Sequence, residues 1–200
     1  VFGLSPSDGR ADLLRNAPFP VVAVDTPGAD LPFVSSDQAG GLALAVRHIT
    51  GLGHRNLAYL GLRGGGWVAS ERLRGYRLGL SAYLSMAALG PPREVEAVLD
   101  LEGGQMAGHD ILHRWPDTSA IVCATDLQAM GACRAIRATG RRIPEDVSVT
   151  GFDDLQASQL MEPPLTTIAQ DPHALGASAG RLALDLVAGQ TGDSPGLLPV

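Results

Sequence analysis

The sequence predicts an α/β protein built on parallel sheet. Three observations carry that reading. Short apolar runs alternate with amphipathic helical stretches, which is the βαβ pattern of a parallel sheet. The run Ala120-Ile121-Val122-Cys123-Ala124 is apolar throughout, as a strand covered on both faces is. Hydrophobic residues make up 45% of 200 positions, enough to fill a core.

The elements follow in order. Pro20 to Asp25 reads as a buried strand. Asp37 can cap a helix with Leu42, Val46 and Ile49 on one face, ended near Gly51 or Gly53. Asn56 to Leu60 is the next strand. After the loop Gly61 to Gly66, Ser70 is expected to cap a helix with Leu73, Tyr76, Leu80 and Leu84 inward. A strand is expected around Val95 to Leu99, then a helix marked by Met106, His109 and Leu112. The strand Ala120 to Ala124 leads into a helix with Ala129, Cys133 and Ile136 on one face, closed by Gly140. Pro144 precedes a strand at Val147 to Thr150, and Pro163-Pro164 interrupts the chain. Asp171-Pro172 combines an N-cap with the favoured first-turn proline and opens a helix with Leu175, Ala179, Leu182 and Leu186.

Charge excludes some functions. Lys and Arg number 15 against 21 Asp and Glu, a formal net charge of −6, and no basic run occurs. A DNA backbone is gripped by clustered cations, so these residues are not expected to bind nucleic acid alone. The same balance disfavours an anionic membrane surface. No apolar run approaches the roughly 18 residues of a spanning helix. Val1-Phe2-Gly3-Leu4 lacks the basic start and apolar core of a signal peptide. Cys123 and Cys133 form no CxxC, so neither metal nor redox chemistry is indicated, and a reducing cytoplasm fits.

Several strands end in polar residues. Asp25 ends the first; Thr125 and Asp126 follow Ala124; Asp153 and Asp154 follow Thr150 through Gly151-Phe152. Arg72 opens the helix after Asn56 to Leu60. In a parallel sheet these positions share one edge, where ligands of such folds bind. Carboxylates accept from hydroxyls and Arg donates a fixed fork, a set suited to a sugar or a nucleobase. Each Asp alone reads equally well as a cap or turn residue.

Other features have weaker claims. The loop Gly61-Leu62-Arg63-Gly64-Gly65-Gly66 matches neither phosphate-binding nor dinucleotide-binding spacing and reads as a rim loop. His109 and His113 share a helix face, but Asp110 stands where a zincin has Glu, so a solvated face is the better reading and no metal is expected. No nucleophile signature occurs near His48, His54, Ser148 or Ser158, so the chain reads as a binder, not an enzyme, with no cofactor. Trp67, beside the glycine loop, is the better stacking candidate, and Trp115 reads as packing.

The segments Pro20–Asp25, Gly53–Leu60, Ser70–Tyr76, Ala124–Ala132, Ile143–Asp154 and Pro163–Ile168, in this order and spacing, resemble the LacI/GalR family of transcription regulators. The resemblance implies a type I periplasmic-binding-protein-like fold: two Rossmann-like parallel-sheet subdomains joined by three crossovers, the first incomplete here. Residues 1–36 and 171–190 would form part of the first subdomain, and 37–170 with 191–200 the second. It implies a small-molecule effector, sugar-like or nucleobase-like, held between the subdomains by Asp25, Arg72 and Asp153. Thr125, where many members have Asn, and Val68, where several have Ser or Thr, join Trp67 as candidate effector contacts. The family further implies a homodimer in the cytoplasm and operator DNA read by a helix-turn-helix outside this chain. A transporter's solute-binding protein shares the fold and is the alternative; the segments Gly53-His54-Arg55 and Pro144–Val149 look like regulators.

Overall fold

A computed structural model describes residues 1, 9–27, 30–64, 66–83, 91–190 and 196–200. In chain order the elements are α1 (Arg10–Arg15), β1 (Ala23–Val24), β2 (Phe33–Ser36), α2 (Gln38–Gly51), β3 (Leu57–Leu62), α3 (Gly66–Tyr83), β4 (Glu94–Ala97) and α4 (Leu101–Arg114). Then come β5 (Ala120–Cys123), α5 (Asp126–Ala138), β6 (Ser148–Asp153), α6 (Gln156–Gln159), β7 (Thr166–Ala169), α7 (Pro172–Val187) and β8 (Gly196–Leu198).

Two wholly parallel sheets organise these elements. The larger has the order β4-β3-β5-β6-β7. Its first strand lies second from the edge, so the winding direction reverses between β3 and β5. Crevices form at such a reversal, outside the strands' carboxyl ends. Apolar side chains of β3, β5 and β6 alternate between two cores. Leu42, Val46 and Ile49 of α2 and Tyr76 of α3 cover one face, with Tyr59 and Phe152 between them. Ile111 of α4 and Cys133 and Ile136 of α5 cover the other. Both cysteines are free and buried, and burial pushes the Cys133 thiol up to about 11, so neither is a reactive thiolate.

The smaller sheet has the order β1-β2-β8. Leu175 and Leu182 of α7 pack against Val22, Val24 and Val34 there. The predicted caps are present: Asp37 accepts from Gly40 N at 2.8 Å and Asp171 from Ala174 N at 2.8 Å. Gly140 ends α5 at φ 77°, a left-handed position that glycine occupies without steric cost.

Some expectations need correction. Ser70 does not cap α3; the helix starts at Gly66 and Ser70 bonds back to the Gly66 carbonyl from within it. The helix marked by Met106, His109 and Leu112 is present as α4; its buried stripe is Gly104, Ala107, Gly108 and Ile111, while Met106 is 74% exposed. His109 and His113 are exposed on that helix, and Trp115 packs against the α4–α5 core. Leu84 lies outside the described residues. Strands β2 and β7 carry no apolar run (Phe33-Val34-Ser35-Ser36 and Thr166-Thr167-Ile168-Ala169), so they escaped periodicity.

Strand β2 and helix α7 belong with the small sheet, and α2 and β7 with the large one. Of residues 191–200, expected with the second unit, the structure describes 196–200. Gly196–Leu198 pair with β2, and only Val200 beyond them packs into the large sheet's core. Strand β2 is paired with β1 on one side, and β8 satisfies the backbone groups on its other side.

Helices α2 and α3 approach closely because Gly75 carries no side chain. A Cβ there would lie 2.1 Å from the Ala39 carbonyl oxygen. Gly75→Ala is therefore expected to push the helices apart and cost about 1–3 kcal/mol, read as a lower denaturation midpoint with an unchanged slope.

Candidate functional site

The site begins with backbone conformation. Asp25 (φ 53°), Asp153 (φ 120°) and Asp154 (φ 53°) all have positive φ at strand carboxyl ends. Aspartate tolerates the left-handed region better than most residues, but such values cost energy and cluster where a structure presents side chains to a ligand. Asp25 directly follows β1 of the small sheet, and Asp153 ends β6 of the large one.

Arg72, one turn after Val68 on α3, is 4% exposed. Its guanidinium carbon stacks 3.9 Å from the centre of the Phe152 ring. Nε donates to the Gln38 side-chain oxygen at 2.8 Å, Nη1 to the Ala124 carbonyl, and Nη2 to Asp153 at 3.2 Å. Ala124 directly follows β5, so the guanidinium lies at the reversal of the sheet. Burial pulls the Arg72 pKa down from its ordinary value and Asp153 pulls it back up; arginine stays charged in either case.

Asp153 is raised above the ordinary carboxylate range, chiefly by burial, against the stabilising Arg72 charge, with Asp126 adding repulsion. Gln170 Nε2 donates to it at 2.8 Å. Asp25 receives the Ser35 hydroxyl at 2.6 Å and sits 3.5 Å from Gln38 Nε2, which also donates to Gln170 Oε1 at 3.2 Å. Asp25, Arg72 and Asp153 are thus brought into one hydrogen-bonded network spanning both sheets.

The other candidates are placed differently. Thr125 is 1% exposed; its hydroxyl caps α5 by accepting from Gln128 N at 3.2 Å and lies 3.3 Å from Gln128 Oε1. That leaves it as a support beside the Ala124 carbonyl. Val68 is one turn before Arg72 on the same helix face and packs on the adjoining core. Trp67 is half-buried on the first turn of α3, about 140° around the helix from Arg72 at 100° per residue.

Asp126, at the start of α5, is fully buried and accepts from Leu155 N at 2.8 Å, the Ser158 hydroxyl at 2.6 Å and the Thr167 hydroxyl. It ties the segment after Asp153 to β7. Sequence reasoning missed Ser35, Gln38 and Gln170. Gln38 opens a helix and Gln170 precedes a cap, positions where a polar residue ordinarily meets water, so nothing in the local pattern announces a buried role.

The comparisons agree with the fold. Residues 46–200 match the family profile described as a periplasmic binding protein-like domain. The HTH-type transcriptional regulator MalR of Streptomyces coelicolor is 36% identical over 185 residues, 90% of this chain and 53% of its own length. The chain thus spans about half the length of the curated relatives it matches. Among solved structures, a complex of the transcriptional regulator CelR with cellobiose superposes with a TM-score of 0.89 at 30% identity, over 100% of this chain and 62% of that one. A lac repressor dimer bound to operator and the anti-inducer ONPF gives a TM-score of 0.86 at 30% identity, over 98% of this chain and 68% of that one.

Proposed function

The chain belongs to the LacI family of regulators with a periplasmic binding protein-like domain, and from that premise we propose that it is the effector-sensing part of a DNA-binding transcription regulator. The effector is a small uncharged polyol such as a sugar, held between the two sheets by Asp25, Arg72 and Asp153. Its binding favours one relative orientation of the two units, through its different affinity for each. Operator DNA is bound by a segment outside these 200 residues, and the intact regulator is a cytoplasmic homodimer without enzymatic activity.

One observation carries the reading: carboxylates from two sheets and one buried guanidinium meet at the reversal point of the larger sheet. Charge supports an uncharged ligand. Two carboxylates face one guanidinium, whose three nitrogens each already serve a protein acceptor, so a phosphate would meet net repulsion. Cellobiose in the CelR complex is such a ligand.

A thermal-shift screen of neutral sugars, sugar phosphates and nucleobases tests this. A neutral sugar is expected to raise the melting temperature by mass action, about 2.7 kcal/mol at a hundredfold excess over Kd. Stabilisation by sugar phosphates alone, or by no compound, overturns the reading.

Affinity should also depend on pH. Hydroxyls donate to ionised Asp153, so the effector favours the form that burial disfavours. Binding then releases a proton as pH falls into the titration range of Asp153, above the usual carboxylate range. Calorimetry should show affinity constant at neutral pH and falling on acidification; affinity that rises on acidification would remove Asp153 from the site.

A further inference from the structure

Four hydrogen bonds close on themselves. Arg72 Nε donates to Gln38 Oε1 at 2.8 Å, and Gln38 Nε2 donates to Gln170 Oε1 at 3.2 Å. Gln170 Nε2 donates to Asp153 at 2.8 Å, and Arg72 Nη2 donates to the same carboxylate oxygen at 3.2 Å. Arginine can only donate, so Gln38 must turn its oxygen to Arg72 and its amide nitrogen to Gln170. Gln170 must then present its oxygen to Gln38 and its nitrogen to Asp153. An ionised carboxylate can only accept, so it completes the circuit without conflict. Every member has one permitted orientation.

The position of the ring matters as much as its polarity. Gln38 directly follows the segment leading from β2 of the small sheet into α2, and Gln170 lies between β7 of the large sheet and α7. Two of the passages between the units are therefore joined through two side chains. Gln38 is 1% exposed, so water cannot stand in for its amide.

We propose that Gln38 is a positioning residue of the effector site: it closes the ring that aims Arg72 and Asp153 and ties the two passages between the units to them. It need not touch the effector. This rests on the effector-site reading above, but the ring itself does not. An effector that draws Asp153 or Arg72 toward its own hydroxyls must strain or reset the ring, and so reaches both passages through bonds already in place.

The ring predicts a coupling that mere packing does not. Opening it at Gln38 frees Gln170 to turn and weakens its bond to Asp153, although Gln38 does not itself touch that carboxylate. The charges that act on Asp153 are Arg72 from α3 and Asp126 from α5, with Asp25 acting on Arg72 from the small sheet; Asp154 is its chain neighbour. Gln38→Met, neutral and of similar length, changes none of them.

The experiment is a carbon-13 titration of the Asp153 carboxyl in the intact protein, for wild type, Gln38→Met, Gln170→Met and the double variant, with cellobiose binding by calorimetry beside it. The Asp153 midpoint is expected to rise by about one pH unit in each single variant and no further in the double, because a ring once open has nothing more to lose. An Asp153 midpoint unmoved by Gln38→Met, or a double variant equal to the sum of the singles, overturns the proposal. Should Gln38→Met not fold, Gln38→Asn keeps the amide but cannot span from Arg72 to Gln170, and the same rise is expected. A shifted midpoint without cellobiose binding would uphold the ring and count against a cellobiose-type effector; binding with an unshifted midpoint would sink the ring alone.

Discussion

Arg72→Ala is expected to abolish the sugar response and to destabilise the protein by about 3–5 kcal/mol, the range for removing one partner of a buried ion pair. Three acceptors lose their donor at once: Gln38 Oε1, the Ala124 carbonyl and Asp153. Gln38 and Ala124 are buried, so water replaces the lost bonds poorly. The Phe152 ring also loses the cation stacked on it. Arg72→Lys separates charge from geometry. Lysine keeps the charge for Asp153 but has no planar fork to serve three acceptors in different directions. It should recover part of the stability and little of the affinity. Denaturant unfolding and sugar calorimetry on both variants check this, and an unchanged sugar affinity in Arg72→Ala would falsify the site assignment.

The second large effect is on Asp126. Asp126→Ala leaves the Leu155 amide, the Ser158 hydroxyl and the Thr167 hydroxyl without their acceptor. A buried donor left unpaired costs about 1–3 kcal/mol; Ser158 is fully buried and the other two bonds partly so, and a total loss of about 3 kcal/mol is expected. Asp126→Asn retains one accepting oxygen, and its amide adds donors where donors already converge, so it should recover only a minority of the loss. The change should also reach the site, since Leu155 follows Asp153 by two residues and anchors the turn that presents it. A melting curve within experimental error of wild type for Asp126→Ala would show that the knot is not structural. Its failure would leave Arg72 untouched, because none of its three donors is shared with the Arg72 network.

Much of this molecule was legible in one dimension. The apolar run Ala120–Ala124 became a central strand because a stretch without polar residues has nowhere else to go, and Val147 and Val149 around Ser148 went into the same core. The caps at Asp37, Asp171 and Gly140 were local chemistry and needed no partner from elsewhere. Asp25, Arg72 and Asp153 were legible through a general property of parallel sheets, that strand carboxyl ends share an edge. Strands β2 and β8 were not, because pairing makes them strands: β2 lies between β1 and β8, and β8 is held by three residues in register with β2, which neither segment encodes alone.

By itself, then, the sequence determined the α/β class, the parallel sheet and the three charged residues at its edge, all consequences of periodicity and local capping. Only the tertiary structure decided that Thr125 caps α5, that Asp126 is a knot, and that Gln38, buried, and Gln170, half-buried, meet at the passages between the units. The reason is physical. A hydroxyl, a carboxylate and an amide each have several partners open to them, and which one they take depends on groups up to 132 positions away that folding alone brings within reach.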